Sequence, residues 1–403
     1  MPAILLNQCD NSSREEPDSL RLIDWDAQTL LEVRQRLETG DMALQPALDR
    51  LIREADEALN AGPFTVTDKP QEPPSGDKKD YMSIAPFWWP DPDSEDGLPY
   101  IRRDGEVNPE RHEYDSRRLS EFSSAVQTLS LAWFFTGREA YAEHAAELVR
   151  VWFIHEKTSM NPHLRYAQAI RGRNEGRYIG LIDTVSLLLM LDAVGLIAKS
   201  RAWSDRDDER LRNWFRQYKT WFIESEFGRD ESAHPNNHGT WHDAQASGYA
   251  LFVRDTTTAR DILQRVGELR IQEHIEPDGR MPRELQRTRG FSYSIYNLRG
   301  LIMLAERGER LSIDLWGYQT PDGRSITQAL DWLLLYAVDF DPEKFPYEQL
   351  IHNSEDRNTM LRHAEMIYRR AALATGDKRY FEAVSRISAI TPDDRINLLY
   401  PMP

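Results

Sequence analysis

The chain has 403 residues, 40% of them hydrophobic, and its 66 acidic against 50 basic side chains leave a formal net charge of −16. That length suits two or three ordinary domains or one large repeat-built body, and that charge argues against nucleic acid as the main partner. A single cysteine, Cys9, excludes an intrachain disulfide and a cysteine-built zinc centre.

The N-terminal stretch MPAILLNQCDNSS lacks a basic region, and its apolar run is too short for a signal peptide. The expectation is a cytoplasmic protein, or a periplasmic or secreted one whose signal has been removed. From about Gly62 to Asp115 the chain is rich in proline, glycine and aspartate but keeps its tryptophans and tyrosines. A stretch that long without periodicity is usually functional or disordered, and its aromatic residues favour a packed loop over one end of the body. Helical patterning then takes over. Leu119, Phe122, Val126, Leu129 and Trp133 share one helical face, and Gly137 supplies a stop. Tyr141, Ala145, Leu148 and Trp152 mark the next helix. The apolar run from Tyr178 to Ala198 is interrupted by Asp183 and Asp192, which predicts a buried helix and no membrane span. Leu211, Trp214, Phe215, Tyr218 and Phe222 form a further stripe. Ser325 and Gln328 have the spacing of a capping box opening a helix through Trp332 and Leu335.

Strand-like alternation is scarce, so the chain reads as all-α. FTGREAYAE (Phe135 to Glu143) echoes ATGDKRYFE (Ala374 to Glu382). In each, a helix ends at Thr-Gly and the next opens toward a tyrosine. Repeated helical hairpins point to an α/α solenoid or a closed toroid. No linker divides the chain, which is read as one domain over residues 1–403.

The chemistry gathers in two short blocks. NNHGTWHD brings together Asn236, Asn237 and His238, which offer amide and imidazole groups to a carboxylate. One of the two asparagines is expected to cap a helix. His234, His238 and His242 are spaced four apart, but Pro235 breaks the helix a metal face would need, so no metal is assigned, and His242 is expected to pack behind the site. RELQRTRGFSYSIY places Arg283, Arg287 and Arg289 before Tyr293. A phenol is a poor base near neutral pH, and nearby guanidinium groups are expected to hold it partly as phenolate. A carboxylate-quenching set beside a phenol base suits β-elimination on a polyuronate. A third cluster carries Arg165, Arg171, Arg173 and Arg177, with Gln168 as a partner for sugar hydroxyls. Only eight of the fifty basic residues are lysine, and clustered arginine forks grip carboxylates bidentately. Trp88, Trp89, Tyr81 and Tyr100 are candidate stacking platforms for sugar rings, with Arg102 and Arg103 nearby.

The blocks DYMSIAPFWWPDP, LPYIRRDGEVNPE, NPHLRYAQAIRGRNEGR, NNHGTW and RELQRTRGFSYSIYNL, in that order from about Asp80 to Leu298, resemble the bacterial alginate lyase family and relatives acting on polymannuronate or glucuronan. The resemblance implies an α/α toroid and elimination without a metal or other cofactor. It implies that Asn237 and His238 neutralise the substrate carboxylate. Tyr293 would take the C5 proton and protonate O4, with Arg289 beside it. Between ELQR and the tyrosine the spacing is one residue shorter than in polymannuronate lyases, so Arg287 is placed with the substrate-binding residues. Those are Arg171, Arg173, Arg177, Gln168, Trp88, Trp89, Tyr81 and Arg102. The implied partner is an acidic polysaccharide, with neither nucleic acid nor membrane. Two alternatives remain: a glycoside hydrolase drawing paired carboxylates from Asp183, Asp243 and Glu284, and a uronate-binding protein without catalysis.

Overall fold

In the computed structural model, which describes Leu20 and residues 22–403, the chain opens with helices α1 (Ala27–Glu38) and α2 (Gln45–Ala58). Cys9 and the N-terminal stretch weighed as a leader lie outside the described residues. The irregular segment comes next, and then α3 (Asp115–Thr136), α4 (Glu139–Phe153), α5 (Leu187–Ile197), α6 (Asp205–Glu224), α7 (Glu226–Ser232), α8 (Asn237–Phe252) and α9 (Thr256–Val266). One π turn joins α9 to α10 (Gln272–His274). Beyond it lie α11 (Pro282–Leu285), α12 (Gly290–Arg310), α13 (Ile326–Ala337), α14 (Ser354–Thr375), α15 (Lys378–Ile387) and α16 (Ile396–Leu399). Four short strands complete the set: β1 (Met82–Ile84) pairs in parallel with β4 (Tyr166–Ala169), and β2 (Trp88–Trp89) pairs antiparallel with β3 (Ile101–Arg102).

The helices are of two kinds, and the distribution of their apolar residues decides which is which. α3, α5, α8, α12 and α14 pack against one another in succession. These inner helices are covered nearly all round: α5 buries nine of its eleven residues and α8 fourteen of its sixteen. The outer helices pack onto them with a single stripe; α15 buries only Tyr380, Ala383 and Val384. α6 buries Leu211, Trp214, Phe215, Tyr218 and Phe222, the stripe expected from the sequence. The result is an α/α toroid built from helical hairpins.

The two echoing sequences are one device used twice. α3 ends on Gly137 at φ 69° and α14 on Gly376 at φ 71°, both in the left-handed region where a Cβ is costly. The next helix in each case buries a tyrosine whose hydroxyl donates to an aspartate on a neighbouring helix, Tyr141 to Asp56 at 2.6 Å and Tyr380 to Asp331 at 2.8 Å. An arginine lies over each ring and bonds the same aspartate: Arg138 to Asp56 and Arg379 to Asp331.

Three further expectations meet the structure, two of them with changes. The run from Tyr178 is long and apolar enough to cross a membrane by composition, but it folds as a 3₁₀ segment (Tyr178–Thr184) followed by α5, and 61% of it is buried in the body. Ser325 caps α13 by accepting from the Gln328 amide, whereas Leu335 on that helix is 73% exposed. The segment from Gly62 to Asp115 is packed, as its aromatic content predicts. A wholly buried ion pair, Lys69 to Asp115 at 2.9 Å, pins it to the start of α3, where Asp115 also accepts from the Met82 amide. Burial lowers the Lys69 pKa and raises that of Asp115 to about 6.

Candidate active site

Asn236 is the cap residue of α8: its side chain accepts from the His238 amide. That leaves the Asn237 side chain free to act elsewhere. Its backbone N–H and its Nδ2 donate to the two oxygens of Glu284, at 2.6 and 2.7 Å. Glu284 comes from α11 and is 1% exposed; burial raises its pKa to about 7. His238 pairs through Nδ1 with buried Glu231 of α7 at 2.8 Å. With Nδ1 committed, Nε2 is the nitrogen left for chemistry.

The second wall is the turn between α11 and α12. Arg287 donates from Nη2 to the Tyr293 hydroxyl at 2.8 Å, and its guanidinium lies 4.0 Å from the centre of the Tyr293 ring. Asp104, delivered by the loop after β3, grips the same arginine at 2.8 and 3.1 Å and also bonds Arg102 and Thr288. The two walls share one electrostatic neighbourhood: the charge of Glu284 acts on both Arg287 and Tyr293, and His238 acts on Glu284.

The expectation of a resting phenolate is corrected. Burial pushes the Tyr293 pKa up; Arg287 pulls the other way without overcoming it. The arginine beside Tyr293 is Arg287. Arg289, expected in that place, stands at the cap position of α12, forms an ion pair with Asp356 of α14 and acts on Tyr293 through its charge alone.

The third wall comes from β4 and the turns on its C-terminal side. Gln168 sits at φ 47°, a conformation a side chain rarely adopts, and both ends of its amide are held. Nε2 donates to Asp183 at 2.8 Å and Oε1 accepts from Arg177 at 3.3 Å. It positions Arg177 and keeps one N–H and one lone pair beyond these two bonds. Arg177 is half-buried and, among the described residues, bonded only to Gln168; burial lowers its pKa to about 10, and Asp183 and Glu231 act against that. Tyr81 is no stacking platform: it is wholly buried and donates to Asp183 at 3.0 Å.

The arginines and tryptophans of the irregular segment pair with each other. Arg173 lies 5.1 Å over Trp88 and Arg103 lies 5.3 Å over Trp89, so the faces expected to stack sugars carry guanidinium groups. Arg171 donates to the buried Tyr100 hydroxyl at 3.0 Å, beside Glu110. Arg102 stays 55% exposed in its bond to Asp104. His242 packs behind the site as expected, stacked 5.0 Å from Phe222. The carboxylates of a hydrolase are each engaged separately: Asp183 by Tyr81, Ser83 and Gln168, Asp243 by Arg270, and Glu284 by Asn237.

Sequence reasoning missed Asp104, Glu231 and Asp356. Asp104 stands in an Asp-Gly turn and Glu231 near the end of a seven-residue helix, and neither carries a local signal of its partner.

The alginate lyase family profile matches residues 65–345. The crystal structure of an alginate lyase from Bacteroides ovatus superposes with a TM-score of 0.91 at 36% identity, over 95% of this chain and 100% of that one. Alginate lyase A1-III from Sphingomonas species A1 is 18% identical with a TM-score of 0.57, over 96% of this chain and 100% of that one. A tetrasaccharide complex of alginate lyase A1-III is 19% identical with the same TM-score, over 96% and 98% of the two chains. At that identity the likeness is one of fold. No curated protein sequence matches this chain closely.

Proposed function

The chain belongs to the alginate lyase family and is a polysaccharide lyase, and from that premise we propose that it cleaves 1,4-linked polymannuronate or glucuronan by β-elimination at Tyr293. The observation that carries this reading is the Arg287–Tyr293 hydrogen bond, set in the field of the Glu284 that holds Asn237.

The C6 carboxylate of the bound uronate is received by Asn237 and, in its imidazolium form, by Nε2–H of His238; these donors stabilise the charge that grows on it as C5 loses its proton. Ionised Tyr293 takes that C5 proton. The electron pair of the C–H bond forms the C4–C5 double bond, the C4–O4 bond breaks, and the Tyr293 hydroxyl returns its proton to O4. In mannuronate and glucuronate the C5 hydrogen and O4 share a face, so one phenol serves both steps. Because burial keeps the phenol protonated at rest, the rate rises with pH as the phenolate fraction grows, and the N–H of Arg287 is what offsets the burial. For guluronate the two groups lie on opposite faces. Glu231 favours that second reading, because a carboxylate at Nδ1 leaves Nε2 with a lone pair to act as the base.

Ultraviolet absorbance of the unsaturated uronate end tests both readings, with polymannuronate, polyguluronate, glucuronan and a neutral glucan as substrates. Absorbance on polymannuronate or glucuronan, lowered about 10³-fold or more in Tyr293→Phe, is the expected result. Release of reducing ends without that absorbance overturns it.

A further inference from the structure

A cavity of about 340 Å³ adjoins the reaction centre, and Tyr293 forms part of its wall. Tyr296 and Arg299 continue that wall along α12, His363 faces them from α14, and Phe87 of the irregular segment covers one side. Arg289 and Asp356 also line it, and their charges cancel in an ion pair.

Arg299 is the odd member. It is half-buried, yet among the described residues it has neither a carboxylate partner nor a hydrogen bond; the Tyr296 ring lies 5.9 Å away, and Arg370, Tyr400 and His363 are within electrostatic reach. The other arginines deep in this half of the body are neutralised: Arg307 by Asp24, Arg270 by Asp243 and Arg370 by Glu306. His363 adds no second positive charge, since burial and then Arg299 lower its pKa to about 3 and keep it neutral. No nitrogen of this guanidinium is among the sealed, unpartnered polar atoms, so it faces the cavity's water without a protein anion. An anion entering the cavity meets an unneutralised charge with reduced screening, and the cavity shares a wall with the proton-transferring phenol.

We propose that this cavity is a glycan subsite next to the cleavage point, in which Arg299 takes the carboxylate of one uronate residue. The inference rests on the polyuronate lyase reading. The volume is at the small end of ligand pockets, the size that holds one sugar ring and not a chain. Tyr296 and Phe87 give the ring an apolar cover, and the neutral His363 offers a ring N–H to a hydroxyl.

The test uses the full chain carrying Tyr293→Phe to stop turnover, with and without Arg299→Met or Arg299→Lys. Calorimetric titration with a mannuronate tetrasaccharide and with cellotetraose reads the binding, and melting without ligand reads the fold. Arg299→Met is expected to weaken the uronate tetrasaccharide about tenfold or more, to leave cellotetraose unchanged, and to raise the melting temperature. Arg299→Lys is expected to recover part of the affinity. Equal binding of the acidic tetrasaccharide by Arg299→Met and its parent overturns the proposal. So does a lowered melting temperature with loss that Arg299→Lys does not recover, which marks a structural role. Wild-type absorbance on polymannuronate keeps the two readings apart: if present, only the subsite is overturned; if absent on every polyuronate, the lyase reading beneath it falls.

Discussion

Two arginine–aspartate pairs in this molecule have the same chemistry and opposite surroundings. Arg307 meets Asp24 at 2.7 and 2.8 Å with both side chains at most 1% exposed, and it spends its remaining donors on Ala244 and Ser247 of α8. Arg287 meets Asp104 at 2.8 and 3.1 Å with 16% and 19% exposure, and the second N–H of its Nη2 goes to a phenol. The first pair joins the N-terminal segment to α12 and α8, and Asp192 of α5 reinforces it by accepting three backbone N–H groups from Ile23, Asp24 and Trp25. Four of the five Arg307 N–H donors are used inside the protein. In the second pair water and substrate still have access, which is what separates a closure from a working group.

The largest effect expected from disturbing this contrast is on stability. Asp24→Asn leaves the Arg307 charge buried without a counter-charge, at a cost of about 3–5 kcal/mol, and the folded fraction should keep its wild-type kcat. Chemical denaturation and active-site-normalised rates check this; a kcat loss matching the stability loss would show that the closure also shapes the site. Arg287→Met should do the reverse. Its kcat should fall about 10²–10³-fold with little change in melting temperature. Because Arg287 draws the Tyr293 pKa down, its removal should push the alkaline rise of the pH–rate profile to higher pH. An unmoved profile would place the arginine's role outside the phenol.

The smallest effect is a pH dependence. Glu284 has its pKa raised by burial to about 7 in the folded protein, above the ordinary carboxyl value, so the folded state holds a proton that the unfolded chain releases. Stability from this group is therefore present below about pH 4.5 and is lost as pH climbs toward 7, by roughly 1–3 kcal/mol. Glu284→Gln removes that slope, and its melting temperature relative to wild type should rise from pH 5 to about pH 7 and then level off. A constant difference would mean that Glu284 is ionised throughout.

What was legible in the sequence was what short-range physics writes. The α6 stripe, the Gly137 stop, the Asn236 cap and the paired hairpins all follow from spacing within one or two turns, and the two reactive blocks were visible as local concentrations of donors and a phenol. What was not legible were partners. Arg287 and Arg289 are two residues apart, but one turns to Asp104, 183 residues away, and the other to Asp356, 67 residues away. No spacing rule sorts them. The titration of Tyr293 failed for the same reason, since burial is set by elements distant in sequence. Tyr81 and Trp88 look alike as aromatic residues of a proline-rich stretch, and only the packing decides that one is interior and the other lies beneath an arginine.

The tie between Asp104 and Arg287 also works as a gatekeeper. Asp104 is a resident competitor: a carboxylate carried on the protein's own backbone, held at a local concentration that a free small acid in solution does not reach. A lone acetate or monomeric uronate has to displace it in a single contact. On the proposed function, a polymer with many linked carboxylates would engage Arg102, Arg177 and the α8 donors together and share its loss at one arginine across the whole chain. Discrimination between a polysaccharide and the small acids dissolved around it would then precede recognition of any sugar hydroxyl.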